Sequence, residues 1–108
     1  MISKDVKKAF ISTPITGFEI KQVRANCNNA KEILKAQYPN IEFIDPFDLD
    51  WVPDMPDSWY MGRDIEALID CDAIISMNGW IKSKGCLVER FTANIYGLKI
   101  YDYESLIG

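Results

Sequence analysis

Strand-like and helix-like segments alternate along the whole chain, and this alternation constrains the fold more than any other feature of the sequence. The short apolar runs that predict strands lie at residues 8–12, 41–44, 73–77 and 98–101. The stretches that predict helices lie at residues 19–37, at residues 59–70 and after residue 83. Such alternation favours a parallel sheet with helices on both faces. We therefore predict one α/β domain over residues 1–108, a three-layer α/β/α sandwich with a Rossmann-like or flavodoxin-like parallel sheet of about four to five strands.

The composition supports a folded domain and argues against several classes of partner. Hydrophobic residues make up 48% of the 108 residues, which is enough for a core. Twelve basic and sixteen acidic residues give a net charge of −4, whereas a binder of nucleic-acid polymers usually carries a basic face. The three cysteines show no metal-ligand spacing and fit reduced, mostly buried thiols. Without a long apolar run or a signal-peptide pattern, we predict a cytoplasmic protein that binds neither a membrane nor a nucleic-acid polymer.

The chain contains no histidine, and this limits the chemistry open to an enzyme of this sequence. Catalysis by Ser-His-Asp or Cys-His groups, zinc held by histidine and a histidine general base are all excluded. The aspartate-rich segment 45–58 does not match a calcium loop, so no metal and no other cofactor is predicted. Any catalysis must therefore rest on carboxylates.

Three loops are expected to meet at one edge of the sheet, because ligands of open parallel sheets bind where the strands end. They are TPITG at 13–17, the segment 45–58, and NGWIKSKG at 78–85. Segment 45–58 mixes prolines and aspartates with large apolar residues, so we expect it to be irregular and to act as a lid or an interface loop. Ser83 and Gly85 precede a helix, and they either form an anion site or simply cap that helix.

Glu89 is the first carboxylate of interest, because its helical neighbours Leu87, Val88 and Phe91 have side chains suited to burial. Its place near the helix start favours the ionised form through the helix dipole. An ionised, positioned carboxylate can act as a nucleophile at an electrophilic sugar carbon. The alternative is an ordinary exposed glutamate, which is the more common case at such a position.

Asp64 is the second carboxylate of interest, since helical spacing places it on one face with Tyr60, Met61 and Leu68. Half-buried among apolar side chains, it would have a raised pKa and could donate a proton. The alternative is a solvent-facing Asp64 beside Arg63, and periodicity alone slightly favours that position.

Three segments together resemble the nucleoside 2-deoxyribosyltransferase-like superfamily, which includes nucleoside deoxyribosyltransferases and 2′-deoxynucleoside 5′-monophosphate N-glycosidases. The segments are FISTPITG at 10–17, RDIEALIDCDAII at 63–75 and SKGCLVE at 83–89. They occur in this order, and the resemblance covers nearly the whole chain. The chain is most similar to a short, uncharacterised branch common in phage genomes.

The resemblance implies a role for each residue that matches the superfamily's motifs. Glu89 matches the nucleophile that attacks C1′, and Asp64 matches the residue that contacts the sugar and helps to protonate the departing base. Ser83 and Gly85 match the loop that binds the 5′ end of the nucleotide. The predicted ligand-binding residues are Phe10, Thr13, Pro14, Ile15, Thr16, Gly17, Asp45, Trp80, Ser83 and Gly85. Members of the superfamily are usually homodimers or larger homo-oligomers, and the resemblance implies the same here.

Two positions depart from the superfamily's pattern. The first strand often carries a tyrosine that orients the nucleophile, but this chain has Phe10 there, so Glu89 is expected to lose one hydrogen bond. Monophosphate glycosidases place an arginine in the first turn, where this chain has Thr16. Lys82 or Lys84 is then left to contact a phosphate.

The sequence and the resemblance together predict an enzyme that cleaves the N-glycosidic bond of a nucleoside or nucleoside monophosphate, or transfers its deoxyribosyl group. In this hypothesis segment 45–58 is a lid, and Trp80 stacks on the base. A non-catalytic protein that sequesters a nucleotide in the same pocket is the alternative. A third hypothesis is an interaction module that docks a partner through segment 45–58 and Trp51.

Overall fold

A four-stranded parallel sheet forms the centre of the computed structural model, which describes residues 1–50 and 52–107. The strands are β1 (Lys8–Ser12), β2 (Glu42–Ile44), β3 (Ala73–Ser76) and β4 (Lys99–Asp102). Their order in the sheet is β2-β1-β3-β4, and all three neighbouring pairs are parallel. The predicted α/β fold is confirmed, with the lower of the two expected strand numbers.

Helices cover both faces of the sheet. They are α1 (Ile20–Gln37), α2 (Asp57–Ile69), α3 (Lys84–Ile95) and α4 (Tyr103–Ile107). Buried side chains of α1 and α4 pack in one cluster with Ile11 and Ile75, whereas those of α2 and α3 pack in another with Phe10 and Ile74. Neighbouring residues of a strand point to opposite faces, so one short strand supplies both clusters. α4 was not predicted, because a helix of five residues is too short to show an apolar periodicity.

Segment 45–58 is more regular than we expected. A 3-10 helix occupies Pro46–Asp48, and α2 already begins at Asp57, two residues before its predicted start. The 3-10 helix is held by a capping box: Asp45 accepts a hydrogen bond from the Phe47 backbone N–H, and Asp48 accepts one from the Asp45 backbone N–H. Lys31 of α1 forms ion pairs with both carboxylates, which ties the turn to the domain.

Three polar side chains stand in register at the carboxyl ends of the strands. Ser12 of β1 pairs with Ser76 of β3, and Ser76 pairs with Asp102 of β4. Side chains two residues apart on a strand share a face, so this row lies beyond Phe10 and Ile74, under α2 and α3. The row therefore places polar groups where the carboxyl edge of the sheet meets α3.

Candidate active site

A cavity of about 780 Å³ opens at the carboxyl edge of the sheet. Its wall is built from the loop after β1, the start and middle of α2, and the first turns of α3. Predicted ligand-binding residues that line it are Thr13, Pro14, Ile15, Thr16, Ser83 and Gly85. All three loops expected at this edge, at 13–17, 45–58 and 78–85, thus reach one cavity. Segment 45–58 contributes Pro46, Leu49 and Asp50 to the wall.

Glu89 and Asp64 meet in this cavity from two different helices. Glu89 of α3 is 3% exposed and Asp64 of α2 is 8% exposed, and both line the cavity. The two carboxyl groups are hydrogen-bonded to each other, and Glu89 Oε1 also accepts a hydrogen bond of 2.5 Å from Ser12 Oγ. The exposed alternatives that we considered for both residues are therefore wrong.

Burial and mutual repulsion keep a proton on this pair of carboxyl groups. Burial raises the pKa of Asp64 to about 6, although its hydrogen bond with Glu89 and the charge of Arg63 act in the opposite direction. Burial, followed by the negative charge of Asp64, raises the pKa of Glu89 well above its ordinary value of 4.5. Two carboxylates this close cannot both ionise easily, so the pair retains one proton where an ordinary carboxyl would have lost it.

The helix dipole does not set the ionisation of Glu89, contrary to our expectation. The dipole acts within the first turn of a helix, whereas Glu89 is the sixth residue of α3, which begins at Lys84. The prediction that the helical neighbours of Glu89 are buried is also wrong. Leu87, Val88 and Phe91 are 42%, 46% and 66% exposed, while the charged residue among them is buried. The Glu89 carboxyl group points inward, where it lines the cavity and accepts a hydrogen bond from Ser12.

Ser12 contacts Glu89 in this site but was not among the residues that the sequence predicted. Phe10, which occupies the position where the superfamily often has tyrosine, is fully buried against Leu68, Ile74 and Ala93 and does not line the cavity. Ser12 lies two residues further along the same face of β1, so its hydroxyl reaches the carboxyl group that Phe10 cannot bind. The hydrogen bond from Ser12 thus replaces the one that Glu89 was expected to lose. A strand that ends in a serine, on the face that packs against α3, is the signal that could have revealed it.

Three further residues of the predicted ligand set lie away from the cavity wall. Asp45 is 1% exposed and caps the 3-10 helix at Pro46–Asp48, while Gly17 provides a turn with φ of 87°. Trp80 packs its ring against the guanidinium of Arg90. Among the tryptophans in the described ranges, Trp59 lines the cavity instead, with the Arg63 guanidinium over its ring. Trp51, assigned to a lid or a docking loop, lies outside the described residues.

The loop before α3 serves as both cap and cavity wall. Ser83 Oγ accepts a hydrogen bond from the backbone N–H of Cys86, which makes it the N-cap of α3. The side chains of Lys82 and Lys84 flank it on the same cavity. The two readings of this loop, helix cap and ligand wall, are therefore compatible.

Two general features of the described chain bear on its partners. Over residues 1–50 and 52–107, no three His, Cys, Asp or Glu side chains form a cluster suited to a metal ion. Within the same ranges, no helix combines the length and apolar character needed to cross a bilayer.

Comparisons with known proteins agree with this architecture. A family model described as "Domain of unknown function (DUF4406)" matches residues 7–102. A 2-desoxiribosyltransferase from Leishmania mexicana has a similar structure, with a TM-score of 0.65 and 21% sequence identity. The match covers 89% of this chain and 63% of that one, so this chain spans less than two thirds of its neighbour's length. No curated protein matches the sequence significantly. The structural match supports the α/β fold described above.

Proposed function

This chain belongs to the DUF4406 family, and we propose that it cleaves the N-glycosidic bond of a nucleoside or nucleoside monophosphate with Glu89 as nucleophile. The observation that carries the proposal is the buried pair of Glu89 and Asp64 on the wall of a cavity large enough for such a substrate. Glycosyl chemistry at a sugar carbon needs one carboxylate to attack and one acid to protonate the leaving group. The pair offers both, without histidine and without a metal.

The proposed reaction uses the single proton that the pair retains. In the reactive form this proton has moved to Asp64 and the charge to Glu89, and a Glu89 oxygen attacks C1′ as the bond from C1′ to the base nitrogen breaks. The base takes the proton from Asp64, and the sugar is left as an ester of Glu89. At rest Glu89 holds the proton and donates it in the hydrogen bond to Asp64, which raises the pKa of Glu89 and lowers that of Asp64. Ser12 assists the transfer of this proton to Asp64, because its O–H donates to Glu89 Oε1 and stabilises the charged form there. Water then hydrolyses the ester, or a second base replaces the first.

The cavity wall supports the assignment of the substrate class. Trp59 and Met61 provide an apolar surface for an aromatic base, while Lys82 and Lys84 provide positive charge for one phosphate. Asp50 and Asp57 lie on the same wall and disfavour a longer phosphate chain. A nucleoside or a monophosphate therefore fits the charges better than a triphosphate.

The same proposal includes a homodimer or larger homo-oligomer. Its support is an apolar stripe on the outer face of α3, made of Leu87, Val88, Phe91 and Ile95, in which Phe91 is 66% and Ile95 is 63% exposed. Large exposed apolar patches usually mark interfaces. Val88 also lines the cavity, so a second copy seated on the stripe would border the cavity mouth. The phage-type branch and the cytoplasmic location stay predictions.

The test is base release from a panel of deoxynucleosides, deoxynucleoside monophosphates and NAD, followed by chromatography. Glu89→Gln keeps the size of the side chain and its acceptor for Ser12 but removes the nucleophile, so we expect release to fall at least about a thousandfold. Glu66→Gln, an exposed change on α2, is the control that leaves release intact. Mass spectrometry of quenched wild-type enzyme is expected to show a sugar adduct on the peptide that contains Glu89.

Two results contradict the proposal in different ways. Release that survives Glu89→Gln would show that another group carries the chemistry. No release from any compound, while ligands raise the melting temperature of wild type and variant alike, would favour the sequestering function.

A further inference from the structure

A second polar cluster lies beside the carboxyl pair, on the next residue of α3. Arg90 donates hydrogen bonds from Nη1 to Ser76 Oγ at 2.9 Å and to Asp102 Oδ1 at 2.8 Å. Both partners belong to the row of residues at the carboxyl ends of the strands. Consecutive residues of α3 thus bind consecutive members of that row, because Glu89 accepts from Ser12 while Arg90 binds the two positions beyond it.

The guanidinium of Arg90 has a third contact, on the loop that forms one wall of the cavity. Its carbon lies 3.9 Å from the centre of the Trp80 ring, within the range of a cation–π interaction. Trp80 opens the 3-10 helix Trp80–Lys82, which runs directly into the N-cap residue Ser83. A contact with the first residue of this turn therefore restrains the residues that follow it.

The loop held in this way carries cavity residues on both sides of Trp80. Gly79, Lys82 and Ser83 line the cavity, whereas Trp80 and Arg90 do not. Gly79 has a φ of 88°, and a Cβ added to it would lie 3.6 Å from Pro14 Cγ of the opposite loop. The backbone N–H groups of Trp80, Lys82 and Ser83 bond only within the turn 77–83, and Ser83 also caps α3. The stack on Arg90 adds a side-chain link from the middle of this loop to the sheet.

We propose that Arg90 is a positioning residue, which holds loop 79–83 in place as the substrate-facing wall without touching the substrate. The inference rests on the proposed function for its effect on catalysis, but not for its effect on the loop. Its two hydrogen bonds fix the guanidinium plane against the sheet, and the plane in turn fixes Trp80. Because Lys82 and Ser83 follow Trp80 directly, loss of the stack is expected to weaken substrate binding more than the chemical step.

Three variants separate the contacts. Arg90→Met removes the charge and the stack, Arg90→Lys keeps a charge near Asp102 but lacks the flat group, and Trp80→Leu removes the ring. We expect Arg90→Met and Trp80→Leu each to raise KM about tenfold with kcat changed less than about threefold, and the double variant to be no worse than either. Arg90→Lys should behave like Arg90→Met if the stack matters more than the charge. Lys99→Met, which breaks an exposed ion pair with Asp5, is the matched control.

Hydrogen exchange gives a readout that does not need turnover. The amides of Trp80, Lys82 and Ser83 are hydrogen-bonded within the loop and should exchange faster in Arg90→Met and Trp80→Leu, while amides of β1 and β3 keep their wild-type rates. Binding of 2′-deoxyadenosine 5′-monophosphate to the same variants in a Glu89→Gln background replaces KM if no base is released. An absence of turnover in the wild type thus counts against the proposed function alone.

The inference is overturned by either of two results. Loop amides that exchange at wild-type rates in Arg90→Met would show that the stack does not hold the loop. Faster exchange of those amides with KM and nucleotide binding unchanged would show that the loop's order has no bearing on the substrate site.

Discussion

Asp64→Asn is predicted to make the protein more stable above neutral pH, although it removes a residue of the proposed active site. Asp64 is 8% exposed, and burial raises its pKa from 3.8 to about 6. One pKa unit corresponds to about 1.4 kcal/mol, so a shift of about two units costs the folded state about 3 kcal/mol once the group is ionised. The amide has the same shape and keeps an oxygen that can accept from Glu89, so the cost disappears without a cavity.

The pH dependence fixes the sign of this effect. Below about pH 3.8 the carboxyl is protonated in both the folded and the unfolded chain, and the substitution changes little. Between that pH and about pH 6 the unfolded chain loses its proton first, which draws the wild type towards unfolding. Above about pH 6 the full cost remains. The stability gain of the variant should therefore grow from near zero at pH 3.5 to a plateau of roughly 3 kcal/mol at pH 8.

Urea unfolding of the wild type and the variant at five values between pH 3.5 and pH 8 measures this difference directly. Glu66→Gln, an exposed substitution on the same helix, is the control and should show no such trend. The reasoning is refuted if Asp64→Asn equals the wild type at pH 8, or if its effect is the same at every pH. Either result would mean that the carboxyl is solvated in the folded protein.

Two other predictions concern the outer and inner surfaces of α3. Ser12→Ala removes the hydrogen bond to Glu89. We expect the single-turnover rate to fall about 10- to 100-fold while the nucleotide Kd stays within about twofold. A larger effect on Kd than on the rate would contradict a role at the nucleophile. Phe91→Glu places a charge on the exposed stripe and should convert the proposed oligomer into a monomer in light scattering, whereas Ile107→Glu, at a 43% exposed position on α4, should not. A wild type that is already monomeric at the highest measurable concentration would exclude the interface.

Periodicity was enough to predict the layers of the fold and most element boundaries. β1 has the predicted ends, and α1 begins one residue after its predicted start. These elements follow local rules, because apolar spacing of three and four or continuous burial decides their type. The 3-10 helix Pro46–Asp48 was missed because it depends on a capping box, which needs side chains and backbone in one particular arrangement.

The site was harder to predict, since it depends on which way each helix faces. The sequence identified Glu89 and Asp64 as carboxylates of interest but could not decide their burial, because α3 carries apolar side chains on its outer face as well. Ser12 escaped notice for a related reason. Its role comes from a contact with a residue 77 positions away in the chain, and no local pattern reports such a contact.

The two faces of α3 have a consequence for how this family can change in length. Each residue turns an α-helix by about 100° and advances it by about 1.5 Å. One residue inserted between Gly85 and Glu89 would rotate the carboxyl group out of the cavity and turn Phe91 away from the exposed stripe. The same insertion would displace Glu89 from the cavity, Arg90 from the Trp80 ring and the apolar side chains from the exposed stripe. Insertions and deletions among members of the family are therefore expected in the segments that flank α3, and not within the helix.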